Sequence, residues 1–412
     1  MMRILQVLGA PLKSGAGRGA AALNDGLRRL GVDSVVLGKP EKNLPEGVVV
    51  HQFPVFQRLV AGICNRLYRK VLKHRFGSVP DTFQPISFGL LPNIHPEVLS
   101  ADLMHVQWSN AGVLGPGFWK GVRALPLPLV FTLRDMWLFT GGCHFSGGCL
   151  GYETGCTQCP MLNNMPQSIT STDLGRKAET LKYATVFVAI SENIAEKARR
   201  SAVLKDADIR VIPNSVATHA FTQIDKEKAR RELGVPADKF IIAFGALNLS
   251  EVRKGSEVMK EVILRLGDED SFFWLAFGGQ PIPLPESSTY FGVVDDQHKL
   301  NLIYAAADLF IMPSLEESFG KTTAEALLSG TAVVAFDGTP AEEIVLEGRT
   351  GWIVPNGDAD AVVVAIGKAT TAGSEVLAQM GQLGRRDVAS RFSLEAIAKA
   401  HIKLYRELLG LN

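Results

Sequence analysis

The sequence predicts an α/β protein of two doubly wound parallel sheets, and three observations predict it. Short apolar runs alternate with segments of helical period along both halves of the chain. Each half opens on a strand, a glycine-bearing loop and a helix, from Arg3–Leu8 in the first and Lys239–Phe244 in the second. Between them lies Ile212-Pro213-Asn214-Ser215-Val216, followed by polar sequence to about Asp238, which reads as a connection. Strands alternating with helices over short connections favour parallel sheets covered on both faces.

Taken in order, Arg3–Leu8 leads through a Gly-rich loop to a helix over Ala20–Leu30 and a strand over Ser34–Leu37. Further strands are predicted over Leu103–Val106, Leu129–Leu133 and Thr185–Ile190. The second half adds strands over Phe272–Phe277, Asp308–Met312 and Ala332–Phe336. Helices over Ser256–Leu266, Gln297–Ala306 and Thr322–Leu328 separate them, and a last helix spans Leu394–Leu409.

Bulk properties exclude some functions. The 43 basic and 42 acidic side chains nearly cancel, so no overall field gathers nucleic acid. The opening residues Met1 to Gly9 read as a strand, too short for a secretory apolar core. Uninterrupted apolar runs fall short of the ~18 residues that span a bilayer. The expected location is therefore cytoplasmic. Residues 57–76 either add peripheral attachment or form a helix packed on the first domain with a solvated basic face. There Leu59, Ile63, Leu67 and Val71 recur beside Arg58, Arg66, Arg69, Lys70, Lys73 and Arg75, a pattern suited to an anionic lipid surface.

The most informative stretch runs from Pro313 to Leu327. Glu317 and Glu325 stand eight positions apart around Gly320 and a predicted helix start. Backbone N–H groups of Lys321 to Thr323 at that start would have no intrahelical partner, and with the helix dipole they suit a phosphate. Eight helical positions span roughly 12 Å, about the reach from a sugar past a diphosphate to a ribose.

The wording Glu317-Ser318-Phe319-Gly320, then Glu325-Ala326, then Ser329-Gly330-Thr331-Ala332, resembles the donor signature of family 4 retaining glycosyltransferases. The resemblance implies a GT-B fold, two Rossmann-like domains facing a cleft. It implies an acceptor-side domain over 1–212 with a Cys-rich loop at 141–160, and a nucleotide-sugar domain over 213–393. A tail helix, 394–412, would return to the first domain. In that family the first Glu contacts the donor sugar and the second the ribose, which carries over to Glu317 and Glu325. Phe319, Gly320, Lys321 and Thr322 fall in the same donor loop.

Other segments extend the resemblance. Arg253-Lys254-Gly255 matches the cations that bind the donor diphosphate, where leaving charge must be stabilised. Many relatives also carry Arg where this chain has Ala246. Tyr290 to Asp296 resembles the base-binding loop, with Gly292 and Val294 reading the base edge. The loop Ser14 to Ala20 lacks GxGxxG spacing, and strand two ends at Leu37-Gly38-Lys39 with no ribose-gripping acid. A nicotinamide enzyme is thereby disfavoured, and Gly15 and Gly17 become candidate cleft residues. Catalysis would need no metal, since Arg253, Lys254 and the helix end can neutralise the phosphates.

Cys143, Cys149, Cys156 and Cys159 fall within 17 positions, the last two spaced C-x2-C. In a reducing compartment this favours a structural zinc over disulfides, with His144 an alternative ligand. Arg134-Asp135-Met136-Trp137 through His144 resembles a subgroup of bacterial exopolysaccharide and colanic-acid-type transferases. Arg134 stands where that family often has His, and an always protonated side chain cannot act as a base. Arg134 and Asp135 remain candidates for orienting the acceptor or steadying the diphosphate. His105 reads as structural, with Trp108 beside the acceptor. The expected function is transfer of a sugar from a nucleotide sugar to a saccharide hydroxyl, lipid-linked, in surface polysaccharide synthesis. Rival readings are a sugar-nucleotide epimerase of the same fold and a non-catalytic scaffold.

Overall fold

The computed structural model describes residues 2–38, 50–52, 55–77, 80, 82–84, 86, 96–108, 127–162, 168–266 and 271–411. The chain forms two compact units, Met1–Ser215 with Ile397–Asn412, and Val216–Ala396.

The first unit is built on seven parallel strands: β1 Arg3–Leu8, β2 Asp33–Gly38, β3 Val50–Gln52, β4 Leu103–Trp108, β5 Leu129–Leu133, β6 Val186–Ala189 and β7 Ile209–Val211. Their order is β3-β2-β1-β4-β5-β6-β7. The second unit has six: β8 Phe240–Asn248, β9 Phe272–Gly279, β10 Ser288–Tyr290, β11 Leu309–Met312, β12 Ala332–Phe336 and β13 Gly351–Val354, in the order β10-β9-β8-β11-β12-β13. Every pairing in both sheets is parallel. Both faces of a parallel sheet are covered, so its strands are apolar throughout. β5 and β12 are buried at every position.

The predicted α/β class and the central strands are as expected. Three differences have physical causes. The first helix begins at Gly15 rather than Ala20, because Ser14 caps it, accepting from Gly17 N at 3.0 Å. The polar connection toward Asp238 holds a helix, Lys226–Leu233, capped by Asp225 and closed by Gly234 in the left-handed region. Its few apolar residues hid it, since its buried anchor is a charge: Arg230 donates to Asp308 at 2.6 Å and to Ala306 O at 3.0 Å. The third is the helical segment Ala359–Phe392, broken at Gly373 (φ 80°, ψ 168°). By length and composition alone it could cross a membrane. Its residues Val362, Ala365, Ile366 and Ala369 instead belong to the core over the second sheet.

The final helix, Leu394–Leu408, adds Ile397, Leu404 and Tyr405 to a core with Ile4, Leu103, Val130 and Val186 of the first sheet. At the start of the second unit Val216 N donates to Phe392 O at 2.9 Å, and Val216 forms a parallel bridge with Ser393. The helix Val55–Phe76 keeps Leu59, Ile63, Leu67 and Val71 each more than half exposed, 57–60%. Arg66, Lys70 and Lys73 are exposed too, while the side chains of Gln57, Arg58, Arg69, Arg75 and Phe76 lie outside the described residues.

Asp308 accepts from Arg230, from Lys226 at 2.7 Å and from Ile241 N at 2.7 Å, tying the helix to the lower end of β11. Removing Arg230 leaves Asp308 its bonds to the half-exposed Lys226 and to Ile241 N but takes away its buried cation. Arg230→Ala should therefore lower unfolding stability by about 1.5–3 kcal/mol. Urea titration checks this, and a loss below about 1 kcal/mol would make the pair a minor contributor.

Candidate active site

Ligands of doubly wound sheets bind beyond the carboxyl ends of the strands, where strand order reverses. That point falls between β1 and β4 in the first sheet and between β8 and β11 in the second.

In the second unit, β8 runs into a 3-10 turn, Val252–Lys254, ended by Gly255 at φ 70°. A side chain at Gly255 would meet Pro313 O at 1.8 Å, so only glycine lets this loop close on the loop after β11. The Arg253 carbonyl accepts from Leu315 N at 2.7 Å and fastens the two loops. Lys254 then forms an ion pair with Glu317, both side chains at most 15% exposed. Burial pushes the Glu317 carboxyl up, but Lys254, Arg253 and the Ser314 hydroxyl outweigh it, and its pKa is lowered. Arg253 pairs with Glu251 at 2.7 Å.

The helix Lys321–Leu328 starts at Gly320, whose φ of 86° places it in the left-handed region, and no side chain caps it. Glu325 is buried, with one oxygen 2.9 Å from Lys321 Nζ and the other 3.4 Å from the Tyr304 hydroxyl. Burial and then Glu325 raise the Tyr304 pKa well above its ordinary value. Thr322 Oγ1 lies 3.2 Å from Met312 Sδ. The Phe319 ring is buried edge-on against Phe392. Gly292 sits at φ 64° after β10, and its carbonyl accepts from Gly278 N at 2.7 Å; Val294 is half-buried. Two cations, one buried and one largely covered carboxylate and an uncapped helix start thus share one edge of the sheet. Such a set can receive an anionic ligand bearing hydroxyls.

In the first unit, Gly9 N donates to Trp108 O at 2.9 Å and joins the ends of β1 and β4. A side chain at Gly17 would strike Pro11 O at 2.0 Å, whereas Gly15 has open space. Arg134 follows β5 and is buried. Its guanidinium donates to Gln107 O at 3.1 Å, Gln107 Oε1 at 2.5 Å and Asn214 Oδ1 at 2.9 Å. Burial lowers its pKa to about 10, which keeps it charged at neutral pH. Asp135 accepts from Trp137 N at 2.8 Å and faces His144 Nδ1 at 2.7 Å. His105 is structural: its ring nitrogens meet the Tyr405 hydroxyl at 2.6 Å and Thr132 Oγ1 at 2.7 Å. Burial first, then His401 and Arg134, holds it neutral. Sequence reasoning missed Gln107, Asn214 and Tyr304 as partners. Each is an ordinary polar residue within an apolar or turn pattern, with no local signal.

Cys143, Cys149, Cys156 and Cys159 line one pocket with Phe83 and Tyr152. All four are free thiols. Gly141 N donates to the Cys156 sulfur at 3.2 Å, Gly151 N to that of Cys149 at 3.3 Å, and the N–H groups of Met161 and Leu162 face Cys159. Among the described residues no three His, Cys, Asp or Glu side chains gather closely enough to hold a metal ion as they stand. Burial pushes the Cys143 thiol up to about 12. Lys177 is buried beside them, donating to Trp137 O at 2.6 Å and Thr140 O at 2.9 Å, and its pKa falls to about 8 through burial.

Comparison with known proteins agrees with this geometry. Residues 238–371 match Glycosyl transferases group 1, and residues 13–220, half of the chain, match Glycosyltransferase Family 4. WcaC of Escherichia coli (strain K12), by name a colanic acid biosynthesis glycosyl transferase, is 25% identical over 71% of this chain and 68% of its own. Three further relatives are matched over 36–57% of their lengths. Sucrose-phosphate synthase (tll1590) from Thermosynechococcus elongatus superposes with a TM-score of 0.70 at 19% identity, covering 100% of both chains. Anabaena Alr3699/HepE, solved with UDP-glucose, gives 0.67 at 18%, covering 99% of this chain and 100% of its own. The fold is GT-B, and the chain belongs to Glycosyltransferase Family 4.

Proposed function

We propose that this chain moves a sugar, with retention at the anomeric carbon, from a nucleoside-diphosphate sugar to a hydroxyl of a lipid-linked saccharide during surface polysaccharide synthesis. The observation that carries this is the buried Lys254–Glu317 pair at the strand reversal of the second sheet, beside an uncapped helix start. Lys254, with Arg253, takes the diphosphate and steadies the charge that leaves with it, so no divalent metal is needed. Glu317 holds the donor sugar. Gly320, Lys321 and Thr322 offer backbone N–H groups to phosphate, and Phe319 lends its backbone there. Glu325 holds the ribose once Lys321 turns away. Gly292 and Val294 line the base. On the other unit, Gly15 borders open space and Gly17 lets the helix start close on Pro11, both as candidate cleft residues, and Arg134 and Asp135 organise the acceptor side.

Further support comes from related proteins. HepE was solved with UDP and with UDP-glucose. WcaC and the mannosyltransferase LpcC of Rhizobium leguminosarum bv. viciae are named for colanic acid and lipopolysaccharide core biosynthesis. An epimerase or scaffold reading has no such support. The enzyme would work on the cytoplasmic face. Its helix Val55–Phe76 would lie on anionic lipid, since an apolar stripe left exposed beside basic residues suits that surface. The four cysteines would close on one structural zinc. Their shared pocket and the N–H groups facing three sulfurs support that reading.

Three measurements test these points. Lys254→Ala should weaken UDP and GDP binding by about 1.5–3 kcal/mol while sparing uridine and guanosine, since only the former carry the charge it meets. Calorimetric titration decides it; an unchanged preference would sink the donor site. Metal analysis of protein purified without added zinc should find one zinc per chain, lost when Cys156 and Cys159 become Ser. Metal-free, stable parent protein would end that reading. Sedimentation with anionic vesicles should fall steeply with salt and vanish when Arg66, Arg69, Lys70 and Lys73 become Gln, each basic residue contributing about 1 kcal/mol. Equal sedimentation of mutant and parent would show that the helix is no lipid anchor.

A further inference from the structure

Glu325 lies inside the second unit, 3% exposed, in the helix Lys321–Leu328. A carboxylate at that depth needs a hydrogen-bond partner on each oxygen. One oxygen has Lys321 Nζ at 2.9 Å. That lysine stands one turn earlier on the same helix with its side chain 47% exposed, so it can swing outward. The other oxygen has the Tyr304 hydroxyl at 3.4 Å, a long contact while Lys321 holds the first. Tyr304 has no such freedom. It is fully buried near the end of the helix Gln297–Ala306, its ring edge-on to Phe310 of β11 at 5.1 Å and to Phe277 of β9 at 5.7 Å. Two side chains fasten its helix to that of Glu325. Thr331 Oγ1 donates to Tyr304 O at 2.6 Å, and Ser329 Oγ to Asn301 Oδ1 at 2.8 Å.

The two partners of the carboxylate therefore differ in kind, one mobile and one fixed. Toward an ionised carboxylate the phenol can only donate, and burial followed by Glu325 keeps its proton on. We propose that Tyr304 is a positioning residue of the donor site: its hydroxyl keeps hold of Glu325 when Lys321 turns away, and so presents the released oxygen to the ribose hydroxyls. This rests on the reading of Glu325 as the ribose contact. Phenylalanine at position 304 would fill the same space. Once Lys321 departed, it would leave the buried carboxylate with an unpartnered oxygen and nothing to stop its rotation. The loss would fall on ribose recognition and spare the diphosphate, which Lys254 and Arg253 meet.

Calorimetric titration of the full chain tests this, with whichever of UDP and GDP binds more tightly and with the 2′,3′-dideoxy form of the same nucleotide. The parent should prefer the ribonucleotide by about tenfold or more, as a hydrogen bond to a charged group gives. Tyr304→Phe should cut that preference to about threefold or less. Its affinity for the dideoxy form should match the parent's, which also certifies folding. A tyrosine that only packs would lower the melting temperature or weaken both ligands alike. An unchanged ratio in Tyr304→Phe would therefore overturn the proposal. Lys321→Ala gives a second reading that does not depend on that variant. It should keep the parent's preference, since Tyr304 suffices to hold the carboxylate; loss of the preference there would make Lys321 the positioning group instead. Failure of the underlying ribose reading looks different. Glu325→Ala then leaves the parent's preference intact, or the parent shows none.

Discussion

A parallel strand cannot turn straight back into its neighbour; it must leave the sheet by a crossover, and successive crossovers of one hand part company wherever strand order reverses. In this chain that constraint operates twice, between β1 and β4 and between β8 and β11. In the second sheet Lys254 and Glu317 stand on the loops that leave β8 and β11, the two strands of that edge. The strands beneath are buried on both faces and largely apolar, so the loops depart from a packed platform. Local features refine what topology sets. Gly255 lets one loop touch the next, and the Arg253 carbonyl locks them.

Strand β11 shows how charge is used at its two ends. Before it, Asp308 is saturated by Arg230, Lys226 and a backbone N–H, an arrangement that fixes a helix and leaves nothing for a ligand. After it, Glu317 is held ionised against burial by one strong partner, Lys254, with Arg253 near. A buried carboxylate needs a cation in either case. The difference lies in what surrounds the pair. One is enclosed by helix and strand, the other by two loops and an uncapped helix start.

Much of this was legible in the residues. Central strands such as Leu129–Leu133 and Ala332–Phe336 stand out because parallel sheets demand unbroken apolar runs. Short edge strands such as β7 and β10 do not, having three residues each and partial exposure. The helix Lys226–Leu233 escaped because its anchor is a buried Arg rather than an apolar stripe. At the site, Lys254 and Glu317 were recognisable as separate motifs, but their pairing spans 63 positions and needs the fold to bring it about. The partners of Arg134 were hidden for the same reason: Asn214 lies 80 positions away. His144 read as a spare metal ligand because it follows a cysteine; only the loop's path reveals Asp135 and Trp108 at its ring.

The paired backbone at Val216 and Phe392–Ser393 has an architectural meaning. The second unit begins and ends at one spot, and the chain then returns to finish the first sheet's helical cover. In topological terms the second unit is an insert, spliced into its host between Ser215 and Ile397 through neighbouring entry and exit strands. Modules with adjoining ends can be excised, swapped or permuted without rerouting the host. The second unit of such a chain is therefore a transplantable cassette, and its boundaries for that purpose are written in a single hydrogen-bonded bridge.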